Sequence, residues 1–219
     1  MDSSFMQRGK FISFEGSEGC GKSTQIRRFV DWLRGTGREV VLTREPGGTA
    51  VGEKIRHLLQ HDSEATALTA ESELLLFAAS RAQLVREVIL PALDRGVWVV
   101  ADRFLDSTTV YQGIGRGLDR EAVQRINAFA VGSAMPDLTF LLDLDAATGH
   151  ARAVAASGDQ PDRMESEPIA FFESVRRGYL GLAAAEPGRI AVIDAGATID
   201  EVSASLVRAF EARFSFPVS

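Results

Sequence analysis

Short runs of β-branched and aromatic residues recur along the chain at Phe11–Glu15, Glu39–Thr43, Val97–Ala101, Leu138–Asp143 and Ile190–Ile193. Longer segments with helical patterning separate them: Lys22–Gly35, Ala50–Leu59, Ala70–Arg95, Arg120–Val131, Ala146–Ala155, Pro168–Ala185 and Ile199–Phe214. Some of the helix ends are visible: Gly35 and Gly37 follow the first segment, and Glu186-Pro187-Gly188 stops the sixth. The alternation predicts an α/β fold, with a parallel sheet covered by helices on both faces. In such sheets the working residues collect in loops at the carboxyl ends of the strands. The segment after each strand is therefore where chemistry is expected.

After the first strand, Gly16-Ser17-Glu18-Gly19-Cys20-Gly21-Lys22-Ser23 fits the phosphate-loop pattern G-x-x-x-x-G-K-[ST], and Thr24 follows. A strand before it and a helix after it supply the context the pattern requires. Glycines let backbone N–H groups turn onto phosphate oxygens, and the helix N-terminus adds partial positive charge. Lys22 supplies a cation for the β and γ phosphates, and Ser23 a hydroxyl for Mg²⁺. Glu18 is unexpected there, because a carboxylate repels a triphosphate. It either holds a sugar hydroxyl, a metal-bound water or an arginine, or it points to solvent.

Later segments carry further candidates. In Thr43-Arg44-Glu45-Pro46-Gly47-Gly48-Thr49 the proline biases Glu45 towards extended backbone and the glycines permit a tight turn. Arg44 is a phosphate candidate on that loop. Phe77 and Arg81 share one helix face, where a ring and a guanidinium suit a base, although Phe77 in a leucine run also reads as core. Asp102-Arg103 ends the third strand, with the carboxylate for the metal and the guanidinium for phosphate. If the following stretch is helical, Arg103, Ser107 and Tyr111 line one face, and Gly113, Gly115 and Gly117 end it. The segment from 146 to about 165 carries Arg152 and Arg163 in turn-rich surroundings and suits a lid that excludes water, or an ordinary turn between helices.

Composition narrows the compartment and the partners. With 219 residues, 45% of them hydrophobic, the chain suits one compact domain over residues 9–219, preceded by a loose tail, Met1 to Arg8. A net charge of -6 and a pI near 5.2 argue against a general nucleic-acid surface. Cys20, the single cysteine, cannot form an internal disulfide, which fits a reducing cytoplasm. No apolar run approaches the ~18 residues of a membrane span, and the opening lacks the apolar stretch of a signal peptide.

Taken together, the segments from about Gly9 to Phe210 resemble bacterial thymidylate kinases, within the P-loop nucleoside monophosphate kinase superfamily. The resemblance rests on the F-I-x-F-E-G-x-E-G-x-G-K-S-T opening, Thr43 to Thr49, Phe77 with Arg81, and Asp102-Arg103. It also rests on Ser107 through Tyr111-Gln112-Gly113, Pro136-Asp137-Leu138-Thr139, and Asp162-Arg163 with Glu165. It implies a three-layer P-loop fold with a five-stranded parallel sheet, a homodimer, Mg²⁺, and ATP and dTMP as substrates. It further implies that Phe77 stacks on thymine, that Arg81 and Gln112 read its polar edge, and that Arg103 holds the dTMP phosphate with Arg44 assisting and Pro46 nearby. Tyr111 would crowd the sugar 2′ position, and Glu18 would sit near the 3′-hydroxyl. Asp102 would orient a metal-bound water.

Family members carry a catalytic arginine either in the phosphate loop or in the lid. Gly19 occupies the loop position here, which leaves the lid. Relatives often have several arginines before the lid Asp-Arg pair, whereas this chain has Arg152 and Arg163 alone, with Arg152 preferred. Other readings fare less well. A GTP-dependent switch needs an Asn-Lys-x-Asp reader, and the only asparagine, Asn127, precedes Ala128. A dinucleotide-binding dehydrogenase needs a third glycine where Thr24 stands. Kinases for other nucleoside monophosphates lack a reason for the set Phe77, Arg81 and Gln112. The thinned lid leaves room for a non-catalytic nucleotide-binding protein.

Overall fold

A computed structural model describes residues 8–62, 65, 67–157 and 167–214. Of the expected tail it includes Arg8 alone, 3.8 Å from Asp94. Five parallel strands form one sheet: β1 (Phe11–Glu15), β2 (Val40–Arg44), β3 (Trp98–Asp102), β4 (Leu138–Asp143) and β5 (Ile190–Asp194), in the spatial order β2-β3-β1-β4-β5. Burial follows that order. All of β1 is buried, while the edge strands β2 and β5 alternate between buried and accessible positions. The run of apolar residues in β1 is what a strand covered on both faces requires.

Helices cover the two faces. On one side, α1 (Lys22–Gly35) and α9 (Ile199–Phe214) pack Phe29, Leu33, Leu206 and Phe210 against Ile12, Phe14 and Phe140. On the other, α3 (Ala70–Leu84) and α4 (Leu90–Asp94) bring Leu84 and Leu93 against Phe11, Val99 and Ala101. Further along that face, α8 (Ile169–Ala185) sets Phe172 and Val175 against Leu141. The remaining helices are α2 (Ala50–Gln60), α5 (Leu105–Thr108), α6 (Arg120–Val131) and α7 (Ala146–Ser157).

Several boundaries differ from expectation, and the following differ for physical reasons. Strands β2 and β3 both lie one residue later, because they pair with each other from Val40↔Trp98 to Arg44↔Asp102. This register sets Arg44 beside Asp102 at the carboxyl edge. The single helix expected over Ala70–Arg95 contains a π-helical turn, Val85–Ile89, just before Pro91. A proline has no N–H for the regular ladder, and a widened turn accommodates the gap. The stretch after β3 is not a regular helix from Arg103. Arg103 has left-handed backbone (φ 66°), α5 follows, and a π turn, Thr109–Gly115, carries Tyr111 and Gln112.

Short α5 has few backbone bonds of its own, and buried side chains hold it. Asp106, 3% exposed, accepts two hydrogen bonds from Arg189 at 2.7 and 2.8 Å, and Arg189 also donates to Thr139 Oγ1 on β4. Glu15, at the end of β1, is wholly buried. It accepts from Phe104 N (2.8 Å), Ser107 Oγ (2.6 Å) and Tyr179 Oη (2.8 Å), joining β1 to α5 and α8. Burial pushes its carboxyl up to about 7, and the neighbouring Asp106 charge adds to the shift, while Arg103 opposes it.

Replacing Arg189 with alanine leaves Asp106 buried without its cation, which costs roughly 3–5 kcal/mol. Urea unfolding checks this, and a variant as stable as the wild type removes the pair from the account of α5. Glu15 supplies a pH test. Its folded pKa lies above the unfolded one, so its stabilising contribution is complete below the ordinary carboxylate range and is lost as pH rises through about 7. The wild type is therefore expected to lose stability relative to Glu15→Gln between about pH 5 and about pH 8. Parallel urea-midpoint curves for the two proteins are the contrary result.

Candidate active site

The carboxyl ends of β1, β2 and β3 open into a cleft of about 340 Å³. Its floor is the phosphate loop between β1 and α1. Gly21, in left-handed backbone, caps α1, so the first N–H groups of the helix have no side-chain cap. Those groups and the helix dipole make the floor attractive to anions. The Lys22 ammonium lies back over the loop and donates to Gly16 O at 3.0 Å and Ser17 O at 2.9 Å. Gly16, Ser17, Cys20, Gly21 and Thr24 build this turn without lining the cleft, whereas Glu18, Gly19, Lys22 and Ser23 line it.

Arg103 stands at the centre. Its Nη2 donates to Glu18 Oε1 at 2.8 Å, and its Nη1 donates to Gly16 O at 3.0 Å and Ser107 Oγ at 3.1 Å. The guanidinium carbon lies 5.1 Å from the centre of the Tyr111 ring, and the Tyr111 hydroxyl donates to Glu18 Oε2 at 2.5 Å. The expected convergence of Arg103, Ser107 and Tyr111 therefore holds, reached through a left-handed residue and a π turn rather than a regular helix. Burial works to raise the Glu18 carboxyl, but Arg103, Lys22 and Tyr111 outweigh it and hold the group below its ordinary range. Glu18 does not point to solvent; it holds an arginine. Burial and the Glu18 charge push the Tyr111 phenol well up.

At the far end, Pro46, Phe77 and Gln112 line the cleft. Gln112 Nε2 donates to Glu73 at 2.7 Å. Arg81, four residues from Phe77, backs this wall rather than facing the cleft. It is 1% exposed and donates to both carboxylate oxygens of Glu45 (2.9 and 3.2 Å from Nε), to Asn127 Oδ1 (2.8 Å) and to Thr108 Oγ1 (2.8 Å). The physical reason is Glu45. Burial pushes that carboxyl up, and only a paired cation offsets the cost of an ionised group there. The Glu45-Pro46 bond is cis.

Arg44 and Asp102, side by side by register, also line the cleft, with Arg44 bonded to Glu53 at 2.9 Å. Asp102 and Ser23 offer hard oxygen donors on the same wall, and the Asp102 carboxylate has no partner among the described residues. That donor set fits Mg²⁺, which takes one or two protein oxygens and keeps several waters.

Of the two candidate lid arginines, Arg152, on the exposed side of α7, lines the cleft. Arg163 lies outside the described residues. The loop and α7 touch backbone to backbone: a Cβ on Gly19 would stand 2.0 Å from Gly149 O, and one on Gly149 would stand 2.7 Å from Glu18 O.

Sequence reasoning passed over several residues. Glu15, Glu73 and Tyr179 bind site residues from elements distant in the chain, and isolated polar residues in strand or helix patterns give no sign of that. Arg56 and Gln60 also line the cleft, near the carboxyl end of α2. Gln60 Oε1 is buried without a hydrogen-bond partner among the described residues. A polar residue among the apolar positions that end α2 is the one signal available.

The comparisons with known proteins agree with this geometry. A family model described as thymidylate kinase matches residues 14–206. The thymidylate kinase of Geobacter sulfurreducens is 52% identical over 190 residues, covering 85% of this chain and 89% of the relative. That of Gloeobacter violaceus is 48% identical over 198 residues, covering 90% and 92%. That of Trichlorobacter lovleyi is 47% identical over 212 residues, covering 95% of this chain and all of the relative. With a phosphate loop at one end of the cleft, an aromatic wall at the other and Arg103 between them, the chain belongs to the thymidylate kinase family.

Proposed function

We propose that this chain transfers the γ-phosphoryl group of ATP to dTMP, giving ADP and dTDP on the route to dTTP. The observation that carries the reading is the position of Arg103, within one cleft, between the phosphate loop and the wall of Phe77 and Gln112. Residues 9–219 act as one kinase unit, in the cytoplasm, and no helix among the described residues is long and apolar enough to cross a membrane.

The residues divide the work by chemistry. Lys22 exchanges its carbonyl partners for β- and γ-phosphate oxygens, and the loop N–H groups take the others. Ser23 and Asp102 would hold Mg²⁺, which neutralises charge on the phosphates when bound. Arg103, with Arg44 assisting, grips the dTMP phosphate in line with the donor. Arginine suits this because its planar fork meets phosphate bidentately. Phe77 stacks on the thymine, with Pro46 beside it, and Gln112 reads the polar edge. Arg81 serves that reading from behind, by fixing Glu45 and Thr108.

Tyr111 and Glu18 face the sugar, the phenol crowding the 2′ position and the carboxylate accepting from the 3′-hydroxyl. Arg152 brings positive charge to the transferred group. No general base is needed, because a phosphate monoester is already nucleophilic and positioning carries the rate.

Two copies of the chain pair in this reading. Leu75 on α3 is 55% exposed and Phe129 on α6 is 81% exposed, and these neighbouring helices would share that apolar surface with a second copy. Sedimentation is expected to give a dimer for the wild type and a monomer for Phe129→Asp. A monomeric wild type refutes the pairing.

The activity is tested by following ADP formation from Mg²⁺-ATP with each nucleoside monophosphate in turn. Strong turnover is expected with dTMP, weaker with dUMP and little with UMP, since one methyl group gives only about 1–3 kcal/mol of discrimination. Failure with dTMP while another monophosphate reacts overturns the substrate. Arg152→Ala is expected to lower kcat by about 10³-fold or more, with KM for dTMP nearly unchanged. A collapse in Arg163→Ala instead moves that role to Arg163.

A further inference from the structure

The base end of the cleft is backed by a carboxylate that phosphoryl transfer does not use. Glu73, on α3, is 1% exposed. Arg116, just after the π turn, approaches it with Nε at 3.4 Å and is itself paired with Glu167 at 2.6 Å. The Arg116 guanidinium also lies 5.3 Å from the centre of the Phe171 ring. A carboxylate paired with a guanidinium offers acceptors only. Gln112 can therefore meet Glu73 only with its NH₂ group, and its Nε2 stands 2.7 Å from Glu73 Oε1. A primary amide is planar, with its oxygen on the other side of the same carbon, so that contact turns Oε1 away from Glu73. Gln112 Oε1 has no partner among the described residues, and Gln112 lines the cleft.

We infer that Glu73 is a positioning residue that fixes the Gln112 amide with its oxygen towards the acceptor base, so that the site selects bases carrying a proton on ring nitrogen 3. This rests on the dTMP reading above. Thymine and uracil present an N–H at that atom, which donates to Gln112 Oε1. Cytosine presents a lone pair there, which meets the oxygen lone pair and is repelled. An amide free to flip would serve both, donating to cytosine from Nε2 and accepting from thymine at Oε1. Buried Glu73 removes that freedom, because flipping would set Gln112 Oε1 against a carboxylate. Arg116 supports the device by supplying the charge that keeps Glu73 an acceptor.

The experiment compares kcat/KM for dTMP and for dCMP, with saturating Mg²⁺-ATP, in three proteins: wild type, Glu73→Gln, and the exchanged pair Glu73→Gln with Gln112→Glu. An amide at position 73 can donate or accept, so the Gln112 amide can turn. The dTMP-to-dCMP ratio is expected to fall by roughly 10–100-fold, with dCMP use rising. In the exchanged pair, the amide now at position 73 donates to a carboxylate at position 112, whose second oxygen is again an acceptor, and the ratio is expected to return towards the wild-type value.

A purely structural role for Glu73 would lower both substrates alike and leave the ratio unchanged, which overturns the inference. If thermal melting finds Glu73→Gln unfolded, Glu73→Leu, which fills the buried position and leaves the Gln112 amide free to turn, decides instead: a lowered dTMP-to-dCMP ratio supports the inference, and an unchanged ratio overturns it. A wild type active on dTMP with an unmoved ratio in both variants sinks this inference and spares the dTMP reading. A wild type inactive on dTMP sinks both.

Discussion

Arg103 takes its place from two carboxylates of one short segment, Glu15 buried and Glu18 half-buried. Glu15 closes β1 and accepts from Phe104 N and Ser107, which fixes the backbone on the far side of Arg103. Glu18, three residues on, takes the guanidinium itself. Between them the chain adopts left-handed backbone at a non-glycine residue, a conformation that surrounding contacts must impose. The positions of Ser107, Tyr111 and Tyr179 follow from the same two acceptors. Burial of these charges is costly, and the cluster offsets it by leaving few donors unmatched.

Three of the cations proposed to meet a phosphate already have oxygen partners. Lys22 holds loop carbonyls, Arg103 holds Glu18 and Gly16 O, and Arg44 holds Glu53. At Lys22 and Arg103, both largely buried, binding a phosphate exchanges one set of oxygens for another instead of drawing flexible side chains out of water. That limits the conformational entropy lost on binding, which otherwise costs on the order of 1 kcal/mol per long side chain. Arg152 is the exception, exposed on α7, as suits a group that engages late.

The fold was legible wherever local pattern and tertiary role agree. The apolar run of β1 and the helical periods of α1, α6 and α9 mark elements whose ends match their sequence signals. Strands β2 and β3 were displaced by one residue because their ends depend on mutual pairing, which neither run displays alone. The phosphate loop was legible because glycine and lysine spacing is itself the mechanism. Arg81 was legible as important but not in its orientation: sharing a helix face with Phe77 says nothing about which side of that face meets solvent. Glu15, Glu45 and Glu73 were illegible as site residues, since a buried carboxylate acquires its meaning from partners far along the chain. Arg163 lies outside the described residues.

The backbone contact between Gly19 and Gly149 ties two distant codons into one unit of change. A side chain at either position would stand against main-chain atoms of the other segment, and those atoms cannot swing aside as a side-chain end can. Moving the proposed Arg152 charge from α7 into the phosphate loop is therefore not one mutational step from this sequence. The start of α7 must shift first, and that shift carries Arg152 with it. A lineage with this packing is held to the arginine proposed on α7 by main-chain geometry, whether or not an arginine in the loop would catalyse as well.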